Sequence, residues 1–330
     1  MKVIKYPAKE EWKELVKRPH LDVSQLNATV EGVLEDVRNH GDEAVKRYEE
    51  KFDHAHLDSL SVSEAEMDEA EHMVSAELKH ALELAHHNIA RFHESQKFEG
   101  SKVETCPGVE CWQKSVAIQK VGLYIPGGTA PLFSTVLMLA TPAKIAGCEE
   151  IVLCTPPNAE GKVNPAILMA AKIAGVSKIF KAGGVQAIGA MAYGTESVPK
   201  VYKIFGPGNQ FVMAAKQRVS LHDVAIDMPA GPSEVCVIAD ESSNPVFAAA
   251  DLLSQAEHGF DSQVFFITTS EEMISKVVKE VEQQLERLPR KEMAHTSLDN
   301  SKFILVKDKQ EAYYYAGSVY RDLDDTPRGI

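Results

Sequence analysis

Apolar positions recur every three or four residues through the first hundred residues, and in short unbroken runs after that. Between 63 and 96, Met67, Ala70, Val74, Leu78, Ala81, Ala85, Ile89 and Phe92 make one stripe at helical spacing, predicting a single amphipathic helix. Ser63 with Glu66 three residues on predicts a capping box at its start. Val23–His40 and Asp42–Phe52 predict two shorter helices broken at Gly41. Residues 1–97 therefore read as helical, and residues 1–115 as an N-terminal helical arm or subdomain.

From about residue 115, apolar runs alternate with helical segments. Strands are predicted at Ala117–Ile125, Ile151–Thr155, Lys178–Ala182 and Val201–Phe205. Helices are predicted from Pro131 to Gly147, from Pro165 to Gly175 and near Gln186–Tyr193. Pro131 and Pro165 suit first-turn prolines, and Gly147 and Gly175 suit helix stops. A second alternating block follows: strand Glu234–Ala239, helix Asn244–His258, strand Gln263–Thr269, helix Ser270–Arg287 and strand Phe303–Val306. Strand–helix–strand with short links predicts parallel, doubly wound sheets. The expected fold class is α/β: a Rossmann-like domain over 116–231, an incomplete second one over 232–312, and an atypical tail over 313–330.

The chain has 330 residues and a formal net charge of −13, with 13 basic against 22 acidic residues in the first hundred. That balance argues against nonspecific binding to nucleic acid or anionic membrane. No apolar run approaches a membrane span, and the N-terminus lacks the apolar core of a signal peptide. Cys106, Cys111, Cys148, Cys154 and Cys236 show no paired spacing, which suggests reduced thiols and a cytoplasmic location.

Glycines cluster where strands end. Gly127-Gly128 follows the first strand of the α/β region, Gly183-Gly184 the third, and Gly206-Pro207-Gly208 the fourth. Ligands bind open α/β sheets at that edge, and a helix N-terminus there suits a dinucleotide phosphate. Each turn alone reads first as a plain strand-to-helix connection, and no GxGxxG fingerprint is present. The breaker-rich Asp227–Glu234 segment lies between the two blocks, and its Ser233 could bond a polar substrate. Gln255 and His258, three apart at a predicted helix end, would share a face, and imidazole is a common zinc ligand. Two donors do not make a site, and a histidine at a helix C-terminus is also simply favoured by the dipole.

Four segments together resemble the histidinol dehydrogenase family: Val121–Thr135, Phe205–Asn209, Asp227–Glu234 and Leu253–Gly259. The resemblance runs over roughly residues 20–310. It implies a dimeric enzyme that uses zinc and two NAD to oxidise L-histidinol, through the aldehyde, to L-histidine. It also implies paired Rossmann-like domains that lack the usual fingerprint. By position, Tyr124, Gln186 and Asn209 would contact NAD, Ser233 the substrate, and Gln255 and His258 would be two of four zinc ligands that also face the substrate. The family continues to a Pro-Glu-His-Leu motif carrying its acid/base pair. Here Tyr313–Tyr320 and Arg321–Ile330 follow Ala312 instead, and no Pro-Glu-His-Leu run occurs. No catalytic residue is therefore assigned, and impaired turnover is expected. A non-catalytic NAD-binding module, or a dimer partner of the same fold, is the alternative.

Overall fold

The computed structural model describes residues 1–16, 23–127, 131–228, 234–260 and 262–324. In chain order these form β1 (Lys2–Lys5), α1 (Trp12–Leu15), α2 (Val23–Asp53), α3 (Glu64–Met73), α4 (Ala76–Glu94), β2 (Val103–Cys106), β3 (Val109–Cys111) and β4 (Lys120–Tyr124). Next come α5 (Phe133–Ala146), β5 (Glu150–Thr155), α6 (Pro165–Ile173), β6 (Lys178–Lys181), α7 (Gly184–Tyr193), β7 (Lys203–Phe205), α8 (Gln210–Ser220) and β8 (Ala225–Ile226). The last are β9 (Glu234–Ala239), α9 (Pro245–Ala256), β10 (Gln263–Thr268), α10 (Glu271–Leu285), α11 (Lys291–Asn300), β11 (Lys302–Leu305) and α12 (Lys309–Asp324). The class is α/β with parallel sheets. The chain divides into two compact units: residues 22–231, and residues 1–21 with 232–330.

The unit of residues 22–231 is built on five parallel strands in the order β6-β5-β4-β7-β8. The strand order reverses at β4, so the chain runs outward on both sides of it. Helices cover both faces. On one, Val33, Leu34, Val37 and Val45 of α2 pack with Ile188 and Met191 of α7 and Val212 of α8. On the other, α3 and α4 pack with α5 and α6 around Leu137, Leu153 and Ile167. The N-terminal helices therefore supply core to both faces of this sheet. Strands β2 and β3 form a separate antiparallel pair.

The second unit holds four parallel strands in the order β1-β11-β10-β9. One face packs α9, α10 and α11 around Leu252, Phe266, Val277 and Phe303. The other packs Trp12 of α1 and Tyr315 of α12 against Phe265 and Ile304.

Several predicted features appear as expected. Gly41 breaks α2 at φ 50°, ψ −131°. The Ser63 hydroxyl accepts from the Glu66 N–H at 3.2 Å, and the Glu66 carboxylate accepts from the Ser63 N–H at 2.9 Å. Pro165 opens α6, and Gly147 closes α5 in the left-handed region at φ 87°. Pro131 lies outside its helix, because α5 begins at Phe133.

Three expectations need correction. The stripe over 63–96 is two helices: Val74 is extended and the Ser75 hydroxyl caps α4 through the Leu78 N–H at 3.2 Å. Serine competes for backbone donors and so starts a new helix rather than continuing the old one. The break shifts the phase, so Leu82 is buried in place of Ala81, and Phe92 ends 61 % exposed. Second, residues 2–5 form a strand rather than part of a helical arm, paired in parallel with Lys302–Leu305. Third, the segment from Tyr313 is helical as far as Asp324 instead of a tail, and Tyr315 is fully buried.

Candidate functional site

The C-terminal edge of the five-stranded sheet gathers the three glycine corners. Gly127 follows β4 and Gly183 follows β6, and both lie against Pro156, which follows β5. A Cβ on Gly127 would come within 2.4 Å of the Pro156 ring, and one on Gly183 within 2.7 Å. Gly206, after β7, has φ +131°, and a Cβ there would lie 2.1 Å from the Tyr124 carbonyl oxygen. At the residues described, these glycines are required by the packing of one loop on the next. Gly128 lies outside the described residues.

The loop after β7 is held by a clamp of the buried Lys216 and the half-buried Asp227. The Gly206 N–H donates to Asp227 Oδ2 at 2.8 Å, and its carbonyl accepts from Lys216 Nζ at 2.7 Å. Lys216 also pairs with Asp227 directly. Lys216 is 6 % exposed, so its charge needs that carboxylate and that carbonyl. The clamp leads into Asn209, whose side chain caps α8 by accepting from the Phe211 and Val212 N–H groups, each at 3.1 Å.

At the end of β6 a second polar cluster is buried. Gln186, in the first turn of α7, donates Nε2 to Glu49 Oε1 at 2.8 Å. The same oxygen accepts from the Gly183 N–H at 2.8 Å. The Tyr124 hydroxyl accepts from the Gly184 N–H at 3.1 Å, which leaves the phenolic proton free to donate. Gln186 Oε1, Glu49 Oε2 and Thr155 Oγ1 are buried without a hydrogen-bond partner. Unpaired buried polar atoms are rare in native proteins, and three near one sheet edge mark a place where a ligand or water belongs. A cavity of about 450 Å³ lies at this edge, lined among others by Asp53, Gly127, Pro156 and Leu168.

Tyr124 and Gln186 thus come together, with Tyr124 also against Gly206, and Asn209 begins the helix that leaves the Gly206 loop. Glu49 and Asp53 were missed by the sequence reading. Their only signal was an acid at position 49, four residues after the buried Val45 and so in the apolar register of α2.

Burial pushes the Glu49 carboxyl up to about 8, against hydrogen bonds from Gly183 and Gln186 that favour its charge. Asp53 beside it raises it further and is itself raised by burial. Burial also raises the Tyr124 phenol. An unfolded Glu49 titrates near 4.5, so between there and about 8 the folded chain keeps a proton that the unfolded chain has lost. Stability from this group therefore falls as pH rises across that window, by on the order of a few kcal/mol in all. Glu49→Gln lacks this slope. Its melting temperature should gain on the parent's as pH goes from about 5 to about 9. A constant difference would show that Glu49 is ionised throughout.

In the other unit, Gln255 is buried in the last turn of α9. His258 is exposed and lies beyond the helix, which ends at Ala256, so the shared helical face expected for the pair does not exist. Glu257 closes the helix as its N–H turns back to the Leu253 and Gln255 carbonyls, and the His258 N–H bonds Gln255 O at 3.1 Å. No group of three or more metal-binding His, Cys, Asp or Glu side chains occurs among the described residues. One amide oxygen and one imidazole fall short of the four donors a zinc ion takes, so these residues do not fit the metal by themselves. Ser233 lies outside the described residues. No described helix is long and apolar enough to cross a membrane.

A family model for histidinol dehydrogenase matches residues 16–319. The histidinol dehydrogenase of Bacteroides thetaiotaomicron is 67% identical over 312 residues, covering 94% of this chain and 73% of that protein. That of Escherichia coli K12 is 52% identical over 302 residues, covering 91% and 69%. Among solved structures, the histidinol dehydrogenase of Elizabethkingia anophelis superposes with a TM-score of 0.92 at 50% identity, covering 97% of this chain and 74% of that one.

Proposed function

Because the chain belongs to the histidinol dehydrogenase family, we propose that the unit of residues 22–231 binds NAD at the C-terminal edge of its sheet for the oxidation of L-histidinol to L-histidine. The observation that carries this reading is Gln186. Its amide is anchored through Nε2, while the buried Oε1 has no partner; it lies in the helix after the edge strand β6, and the Tyr124 hydroxyl bonded to the nearby Gly184 N–H belongs to β4, where the strand order reverses. Open α/β sheets bind dinucleotides at that switch point.

NAD, when bound, supplies the hydride acceptor; the protein supplies position. Gln186, Tyr124 and Asn209 would hold the nucleotide, with Gln186 Oε1 available as an acceptor and the Tyr124 hydroxyl as a donor. The family resemblance gives Ser233, Gln255 and His258 as the residues for L-histidinol. Gln255 and His258 would supply two of the four donors that a zinc ion takes. The protein acts as a homodimer in the cytoplasm, where its five free cysteines stay reduced.

The family's Glu–His acid/base pair is not found in these 330 residues, and loss of such a pair removes roughly 10²–10⁴-fold in rate. An intact NAD edge without that pair also favours the second reading, a nucleotide-binding module that does not turn over. Calorimetric titration with NAD, followed by NADH formation from L-histidinol, tests both. NAD should bind, Gln186→Ala should weaken it about tenfold, and NADH should form at least about 100-fold slower than with the Escherichia coli relative. Equal rates would overturn the impairment. No binding of NAD would overturn the reading itself.

A further inference from the structure

We propose that Glu49, a residue of the N-terminal helix α2, is a positioning residue for the nucleotide: it holds the Gln186 amide by its NH2 and so leaves the amide oxygen unpartnered for the nucleotide. The inference rests on the NAD reading of the Gln186 edge and deepens it.

The ordinary dinucleotide fingerprint sets a pyrophosphate on the first N–H groups of a helix after a glycine turn. At α7 two N–H groups of that end are already used. The Gly183 N–H goes to Glu49 Oε1 at 2.8 Å and the Gly184 N–H to the Tyr124 hydroxyl at 3.1 Å. At α8 the Phe211 and Val212 N–H groups go to the Asn209 side chain. These four donors are therefore not available to a phosphate.

Glu49 is wholly buried, and its hydrogen-bond donors are a backbone N–H and an amide rather than a cation. A carboxyl so placed is costly, and an apolar residue in the same register would pack α2 on α7 without that cost. Its return is orientation. An amide can turn end for end, presenting either NH2 or oxygen. Glu49 Oε1 accepts only, so it draws the Gln186 NH2 toward itself and leaves Oε1 for a hydrogen-bond donor of the nucleotide. Glu49 Oε2 has no donor, because its polar neighbour is the Asp53 carboxyl. A proton held on Oε2 turns that contact into a hydrogen bond without disturbing Oε1. Asp53 in turn lines the cavity at the sheet edge. The resulting order runs Asp53, Glu49, Gln186, all within residues 22–231.

The test is the affinity for NAD by calorimetry, on the full chain, for the parent, Glu49→Ala, Glu49→Gln, Gln186→Ala and the Glu49→Ala/Gln186→Ala double variant. Glu49→Ala should weaken binding about tenfold, and Glu49→Gln, which keeps an accepting oxygen, should restore most of that loss. The double variant should bind no more weakly than either single one, since Glu49 acts through Gln186. Losses that multiply, or a Glu49→Ala chain that binds as the parent does, would overturn the proposal and leave the NAD reading standing. A parent that does not bind NAD removes that reading and the proposal with it. Should Glu49→Ala not fold, Glu49→Asp, with its carboxyl withdrawn by one methylene, should still unfold cooperatively and bind NAD more weakly. Parent-like affinity in Glu49→Asp would count against the positioning role.

Discussion

Gly206→Ala should cost at least about 3 kcal/mol of stability and more than tenfold in NAD affinity. At φ +131° an L residue is strained whatever the space around it, at roughly 1–3 kcal/mol. Space is also lacking: the added methyl would lie 2.1 Å from the Tyr124 carbonyl oxygen, a backbone atom that cannot swing aside. Shifting the loop to relieve the overlap pulls both polar groups of Gly206 from Asp227 and Lys216, leaving a buried ammonium short of a partner. The same shift displaces Asn209 from the start of α8 and disturbs Tyr124 from behind. Denaturant midpoints and NAD titration check the two halves separately. A variant matching the parent in both would show that the loop relaxes freely.

Trp12→Ala should destabilise its own unit by about 3–5 kcal/mol while leaving the five-stranded sheet of residues 22–231 intact. Trp12 is 4 % exposed and its ring centre lies 4.7 Å from that of Tyr315 and 5.5 Å from that of Tyr314. Its indole N–H donates to Pro7 O at 3.1 Å, so truncation leaves a cavity and an unmatched carbonyl together. The indole ties residues 7–12 to α12 over the face of β10 and β11. Urea unfolding followed by circular dichroism should show the loss. A change below about 1 kcal/mol would mean that α12 carries little of the packing.

Both variants bear on what local pattern could and could not announce. Strands β4 to β7 and β9 to β11 were legible because parallel strands covered on both faces read as short apolar runs; β1 and β8 were not. Helix ends were legible where one residue decides them, as at Gly41, Ser63, Gly147 and Pro165. Features joined by distant partners were not. Residues 2–5 have only two apolar positions and become a strand through a neighbour 300 positions on. Ser75 looked like an interior residue because the stripe passes through it, and a phase shift of one residue is invisible to a count of apolar spacings. The Tyr124 and Gln186 positions followed from motif resemblance, but the reason Gln186 points as it does lies in Glu49, which is 137 residues earlier. In sequence that acid is one of 22 in the first hundred residues, set apart from its solvated neighbours only by its place in the apolar register of α2. The Lys216–Asp227 clamp was hidden for the same reason: each partner reads as an ordinary surface charge until Gly206 is seen between them.

The pairing of Lys2–Lys5 with Lys302–Leu305 has a consequence for biogenesis. As the polypeptide emerges from the ribosome, residues 22–231 form a contiguous stretch that can complete its own sheet early. The opening strand must wait, unpaired, until some 300 further residues have been translated. During that interval Val3 and Ile4 present an open strand edge to the surroundings, and the lysines on either side of them, Lys2 and Lys5, are the charges that discourage premature pairing.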